Sequence, residues 1–529
     1  MVPAEKQKLA KLFSGVFTIG SATLLSRILG FVRDAIVAML FGAGIYSDAF
    51  FMAFRIPNLL RKFFSDGVLS LSFIPEFTKC HTIEGKEKAF DMARSFFCII
   101  SFAGVLLVLC GIVYTPGLVS TIAPGFVTHA QKYDLTVALT RIMMPYVGAI
   151  FLMAVCMGIL NACGHFAAPA VAPIVFNVVI IFFALVLSPL FDMPAVALAW
   201  GVTLGGVFQL LLQLPFIYGK GFRFLKRCHI MNPGAVKAAG TMLPAMVGGA
   251  GYQINVLVVT FMASRLGDGS ISYLYYADRL VQFPLALFTV SVSTVIFPRL
   301  ASSVAINRQE DATELFSRGL QAVFFITLPA MAGLMVLGKP IVALLFFQGE
   351  FEMTAVVETG SVLFFLSTGL WAFSGTRLFG AFFYAFSDIK TPFVAGFCSI
   401  WVNVVLGWGL MKSMGHTGLA LSLSVSAVVN LVILLWKANV YFTVSVWQKM
   451  LLSGAKALVF SGIMYGVVGW ASSLLCPALD AGKPALCMGV LLSIMIGVLV
   501  YGGLFFVGGR QEYRRMQKWV KGSKKNVAI

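Results

Sequence analysis

Leu486-Cys-Met-Gly-Val-Leu-Leu-Ser-Ile-Met-Ile-Gly-Val-Leu-Val-Tyr-Gly-Gly-Leu-Phe-Phe-Val507 contains no charged side chain. As a helix it would rise about 30 Å, the thickness of a bilayer's hydrocarbon core. Residues 96–113, 174–187 with their flanks, and 457–475 read the same way. Fourteen such segments centre near residues 25, 57, 103, 147, 176, 205, 250, 285, 326, 366, 402, 428, 462 and 496. Their apolar runs are continuous rather than alternating, which excludes a β-barrel and predicts an all-α polytopic membrane protein with fourteen transmembrane helices. Composition agrees: of 529 residues 59% are hydrophobic and 11% charged, where a soluble domain carries roughly a quarter charged residues. A cytosolic enzyme is excluded.

The termini and loops set the orientation. Lys6, Lys8 and Lys11 precede a helix that holds Arg27, Arg33 and Asp34, too long and too charged for a cleaved signal peptide. With the N-terminus in the cytoplasm, loops on that side carry about 24 Lys and Arg against about 5 opposite, the bias of the positive-inside rule. An even number of spans then puts both termini inside. The net charge of +18 therefore reads as topology and contact with anionic lipid, and no nucleic-acid partner is called for. The nine cysteines form no CxxC pair and the five histidines no ligand pair, so neither a disulfide framework, a metal site nor a cofactor is read.

Two stretches repeat at one offset. Gly44 and Gly267, Pro75 and Pro298, Ala162 and Ala385, Pro169 and Pro392 all stand 223 residues apart. Spans 1–6 would thus recur as spans 7–12 in the same orientation, giving two pseudo-symmetric six-helix lobes plus two extra C-terminal helices. The expected division is an N-lobe at 1–218, a basic cytoplasmic linker at 219–237, a C-lobe at 238–440, an extra helix pair at 450–508 and a basic cytoplasmic tail at 509–529. No loop is long enough for a folded domain outside the membrane.

The informative residues are the charges inside the spans. Gly333-Leu-Met-Val-Leu-Gly338-Lys339 imitates the front of a phosphate-binding loop, but Pro340 replaces the hydroxyl residue that binds magnesium, so no nucleotide hydrolysis is read. Span 1 carries Arg27, Arg33 and Asp34. Span 2 carries Asp48, Arg55, Arg61 and Lys62, followed by Asp66. Span 8 carries Asp278 and Arg279, with Gln282 one turn on. An arginine at mid-membrane costs about 2.5–3.5 kcal/mol, so these side chains are expected to face protein or a watery cavity. Asp48, Arg55 and Lys62 recur every seven residues and share one stripe, as do Arg27 and Asp34. Pro57 and Pro284 each remove a helix hydrogen bond at mid-span. The acidic residues, Asp34, Asp48 and Asp278, fit interhelical pairing as well as function. The cations outnumber them, and a cationic cavity calls for an anionic ligand, to which arginine's planar fork is matched. Gln253, Asn255, Asn177 and Asn403 read as interhelical hydrogen-bond partners, while Arg141 and Arg377 fit either the cavity or the interface. This much describes a two-lobed, alternating-access transporter for an anionic substrate.

Ser26-Arg27-Ile-Leu-Gly-Phe-Val-Arg33-Asp34-Ala and Phe41-Gly-Ala-Gly44 with Ser47-Asp48-Ala-Phe-Phe-Met-Ala-Phe-Arg55-Ile-Pro57-Asn-Leu-Leu-Arg61 resemble the MurJ (MviN) family of lipid II flippases. Tyr275-Tyr-Ala-Asp278-Arg279-Leu and Phe383-Tyr-Ala-Phe-Ser-Asp388-Ile-Lys390-Thr-Pro392 look like further motifs of that family, part of the multidrug/oligosaccharidyl-lipid/polysaccharide exporter superfamily. The resemblance implies a substrate of undecaprenyl-diphosphate-linked disaccharide pentapeptide, a bacterial inner-membrane location and the company of cell-wall synthesis proteins. It implies that Arg27, Arg33, Arg61 and Arg279 engage the diphosphate, that Asp48 is the family's acidic residue of span 2, and that spans 13 and 14 form a groove for the lipid tail. Asp34, Asp48, Arg55, Asp278 and Gln282 would then serve the cavity and its gating. The chain departs at Gln282, where some members carry a carboxylate, and the run 256–259 offers no carboxylate for the sodium ion some members bind, so no metal is carried over. A flippase for another lipid-linked oligosaccharide, a cation-coupled exporter of the same superfamily and a non-transporting scaffold are the competing readings.

Overall fold

The computed structural model describes residues 3–65, 68–224, 226, 231–476, 479 and 482–509, with side chains at 3–19, 63–71 and 243–252 left aside. Asp66, Arg227 and the basic tail from Arg510 onward lie outside the described residues. The described chain is helical and holds no strand. It divides into two compact units, Met1–Gln253 with Gly267–Ile271, and Ile254–Leu266 with Ser272–Ile529.

The first unit contains α1 (Pro3–Phe41), α2 (Ile45–Ser65), α3 (Val68–Ile83), α4 (Lys86–Val113), α5 (Thr115–Ile122), α6 (Ala130–Met143), α7 (Pro145–Ala162), α8 (Ala167–Phe182), α9 (Pro194–Gly219) and most of α10 (Pro233–Ala263). Pro145 and Pro194 open α7 and α9 at the position where a missing N–H costs nothing. Small residues bring α9 close to its neighbours. A Cβ at Gly206 would lie 2.6 Å from Tyr146, one at Gly205 2.8 Å from Phe176, and one at Gly201 2.9 Å from Phe183. Phe54, Tyr146 and Phe176 meet at this crossing, with ring centroids 5.4–6.5 Å apart. Phe73, Phe77, Phe90, Phe96 and Phe151 fill a second core between α3, α4 and α7.

The second unit runs through α11 (Ser270–Pro284), α12 (Val290–Ala305), α13 (Gln309–Phe346), α14 (Met353–Ser367), α15 (Leu370–Ala385), α16 (Lys390–Ala438), α17 (Val444–Leu475) and α18 (Lys483–Gly508). Phe316, Phe379, Phe382 and Phe442 form its aromatic core. Helix α17 docks on α13 through Met464 and Val468 against Ala332 and Leu337, while Phe505 of α18 meets Phe325. Their remaining faces, with Leu451, Trp470, Leu499 and Val507, are exposed and apolar as a lipid-facing surface requires. Gly415 interrupts α16 at φ 59°, ψ −134°, so two helices meet there. An unbroken helix of that length would reach roughly 70 Å, more than twice the hydrocarbon core.

Among the described residues nine helices are long and apolar enough to cross a membrane, or ten if α14 and α15, bent by 46°, make one span. The sequence reading expected fourteen. Helix α2 falls short because Asp48, Arg55, Arg61 and Lys62 fall in every window of sufficient length; in α1 the described side chains, 20–41, carry Arg27, Arg33 and Asp34, and the rest of that helix lies among the side chains left aside. Helix α16 counts once although it is two helices, and part of α10 lies among the side chains left aside. The phosphate-loop lookalike at 333–340 lies inside α13, where its amides are committed to the helix.

Candidate functional site

In the first unit the buried carboxylates of α1 and α2 enter ion pairs, Asp34 with Arg33 and Asp48 with Lys132 of α6. On α1, Arg33 is buried. Its Nε and Nη2 donate to Asp34 Oδ1 at 3.0 and 2.7 Å, and its Nη1 donates to Asn177 Oδ1 of α8 at 3.1 Å. Asn177 Nδ2 in turn donates to the Ser26 carbonyl at 3.0 Å, so one amide ties α8 to two turns of α1. Arg27, on the same helix, is exposed.

On α2, Asp48 is 1% exposed. Its Oδ2 accepts from Lys132 Nζ of α6 and from the Gly269 amide, each at 2.8 Å. Lys132, also buried, donates to Asp268 Oδ1 at 2.8 Å and lies 4.4 Å from the Phe126 ring centroid. Lys132 escaped the sequence reading because its partner stands far off in the chain. Its neighbours Gln131, Tyr133 and Asp134 read as a polar first turn, and only burial makes a counter-charge obligatory. Further along α2, Arg55, Arg61 and Lys62 are half-buried. Arg61 Nε donates to Asn58 Oδ1 at 3.0 Å, and Lys62 Nζ reaches Gln253 Oε1 at 3.5 Å. Helices α1 and α2 thus present Arg27, Arg33, Arg55, Arg61 and Lys62 against Asp34 and Asp48, and both carboxylates are already bonded to a cation.

In the second unit α11 carries Asp278, Arg279 and Gln282, all half-buried. Arg279 Nε and Nη2 donate to the Tyr275 hydroxyl at 3.2 and 2.7 Å, which holds the guanidinium along its own helix. Gln282 Nε2 donates to Asp278 Oδ1 at 3.4 Å. Asn403 of α16 donates to Asn255 Oδ1 of α10 at 2.6 Å and accepts from Ser422 at 2.8 Å, an interhelical knot like the one Asn177 makes in the first unit. Arg141 and Arg377 are both exposed. Among the described residues no three His, Cys, Asp or Glu side chains are grouped to hold a metal ion. Arginine's planar N–H fork is the side chain best matched to a phosphate-like anion.

A family model described as lipid II flippase MurJ matches residues 37–488. The probable lipid II flippase MurJ of Buchnera aphidicola subsp. Acyrthosiphon pisum is 37% identical over 423 residues, covering 80% of this chain and 83% of its own. That of Vibrio cholerae is 34% identical over 503 residues, covering 94% and 96%. Among solved structures, lipid II flippase MurJ in an inward-closed conformation superposes with a TM-score of 0.79 at 26% identity, over 93% of this chain and 99% of that one. An inward-facing multidrug resistance MATE family transporter of the MOP superfamily shares the fold, with a TM-score of 0.68 at 15% identity over 80% and 98% of the two chains.

Proposed function

From the premise that this chain belongs to the MurJ family of lipid II flippases, we propose that it carries lipid II from the cytoplasmic to the outer leaflet of the bacterial inner membrane by alternating access. The observation that carries this reading is the family match along residues 37–488, which takes in α2, α11 and their charges. No bond of the substrate is made or broken, and the protein is a transporter rather than an enzyme.

Arg27, Arg61 and Arg279 take the diphosphate, each charge-assisted bond contributing roughly 1.5–3 kcal/mol. Arg33 joins them only by giving up Asp34 or Asn177, so its first task is to fix the course of α1. Arg55, Asp278 and Gln282 shape the polar lining, and Asp48 works through its pair with Lys132. The sugar-peptide head passes through the hydrated interior while the prenyl tail stays in lipid, since exposing it would cost about 0.8 kcal/mol per methylene. Resetting the emptied, cationic site draws on an inside-negative membrane potential, worth about 2.3 kcal/mol per charge per 100 mV.

The same reading assigns α1, α2, α10 and both halves of α16 as spans, for fourteen in two six-helix lobes with α17 and α18 outside the repeat. In support, the 223-residue pairs fall at equivalent points. Gly44 and Gly267 precede α2 and α11, Ala162 and Ala385 end α7 and α15, and Pro169 and Pro392 lie in the first turns of α8 and α16. The lobes are 1–218 and 238–440, joined by the linker at 219–237, with the helix pair at 450–508 and the tail at 509–529. The bias of Lys and Arg supports cytoplasmic termini.

Complementation of a strain depleted of its lipid II flippase tests the proposal. The wild-type chain should restore growth, and Arg27→Ala, Arg61→Ala and Arg279→Ala, each checked for membrane insertion, should not. Rescue by all three variants would refute the arginine site, and an inserted wild type that fails to rescue would refute the substrate.

A further inference from the structure

The second unit bears a cationic ledge built from residues other than those assigned to the diphosphate above. Arg265, two residues past the end of α10, holds its guanidinium carbon 4.7 Å from the Phe261 ring centroid and 5.0 Å from that of Trp408 on α16. Arg265 and Trp408 are exposed, as is Lys412 one helical turn beyond Trp408. Neither cation takes part in an ion pair among the described residues. His416, past the break at Gly415, is bonded to Glu358 at 2.9 Å.

Three features of this ledge point the same way. A guanidinium laid against ring faces keeps its N–H fork open at the edge, the arrangement that takes phosphate. Below it, Phe393, Phe397, Trp401 and Val405 form an exposed stripe at helical spacing that leads to Trp408 and Lys412. An apolar track the length of an acyl chain therefore ends at two cations beside an aromatic side chain. Finally, in the orientation proposed above this is the outer end of the unit, where cations are scarce and contribute nothing to the positive-inside signal. Their presence needs another cause.

We infer that Arg265, Trp408 and Lys412 bind an anionic glycerophospholipid of the outer leaflet, its phosphate at the two cations and one acyl chain along the α16 stripe. The site is distinct from the arginines on α1, α2 and α11.

The test titrates the delipidated full-length protein in detergent with phosphatidylglycerol, and with phosphatidylcholine of the same chains, by native mass spectrometry. The double variant Arg265→Ala/Lys412→Ala should weaken the tightest phosphatidylglycerol adduct about thirtyfold, the size expected for two interfacial cations. It should leave phosphatidylcholine unchanged, and Lys412→Ala alone, a change at an exposed side chain, should give a smaller loss in the same direction. Lys483→Ala, which removes a cation bonded to Gln348 elsewhere on the unit, should change nothing. Wild-type affinity in the double variant, or an equal loss in Lys483→Ala, would overturn the site. Displacement of the lipid by glycerol 3-phosphate at matched concentration would overturn the lipid assignment in favour of a free phosphate.

Discussion

Lys132→Met should be among the most costly single substitutions in the first unit, and more costly than Asp48→Asn at the other end of the same bond. Both side chains are nearly inaccessible, at 4% and 1% exposure, and their charged atoms are 2.8 Å apart. At an effective dielectric of about 20, that separation corresponds to roughly 6 kcal/mol of attraction, offset in part by the cost of drying both charges. Removing one partner leaves the other buried, a loss of about 3–5 kcal/mol. What each variant retains sets the order. After Lys132→Met, Asp48 keeps a neutral donor, the Gly269 amide. After Asp48→Asn, Lys132 keeps a full opposite charge on Asp268, although that carboxylate is half exposed and the pair correspondingly screened. The expected losses are thus about 3–4 kcal/mol for Lys132→Met and about 2 kcal/mol for Asp48→Asn. The double variant should lose less than their sum by at least about 1.5 kcal/mol. Reversible unfolding in mixed micelles measures all three. Additive losses, a reversed order, or less than about 1 kcal/mol for Lys132→Met would refute the assignment of a buried, mutually dependent pair.

Other expectations rest on single contacts. Asn177→Ala removes the acceptor for Arg33 Nη1 and the donor to the Ser26 carbonyl; it should cost about 1–3 kcal/mol in the same unfolding assay, and a loss within error would show the knot to be idle. Gln213 of α9 is fully buried, with neither side-chain oxygen nor nitrogen hydrogen-bonded among the described residues; Gln213→Met, close in volume, should raise stability by about 1–3 kcal/mol, and destabilisation would mean that the amide has a partner after all. Asp388, in the connection before α16, has a carboxyl pKa that burial pushes up but that hydrogen bonds from Thr391 and the charge of Lys390 bring below the usual carboxylate range. Its contribution is therefore present above the unfolded carboxyl value near 3.9 and lost as pH falls through the depressed folded one. Asp388→Asn should flatten the acid limb of thermal stability there, and an unchanged limb would refute the link.

The cost of an unneeded charge in lipid made Arg27, Arg61 and Arg279 readable as functional candidates from sequence alone, whereas their partners were not readable. Asp34 pairs with Arg33 on its own helix, where the sequence offered interhelical pairing. Lys132 meets Asp48 and Asp268 only because α6 packs on α2 and the turn at 267–271 joins the first unit, and nothing in the spacing of these residues encodes that. Asn177 was legible as an interhelical partner, but not as the residue that holds Arg33. Fewer helices than the fourteen expected pass on length and apolarity among the described residues, in part for a related reason. Hydropathy responds to the share of charged residues and not to lipid contact: mostly exposed α17 passes at a mean hydropathy of 1.6, the lowest of the nine, while the largely buried α6–α7 stretch passes at 2.1. Helix α2 fails by its charges, Asp48, Arg55, Arg61 and Lys62. A segment of spanning length that fails the apolar criterion only through buried or half-buried charges, as α2 does, is therefore better kept as a candidate span than read as a loop.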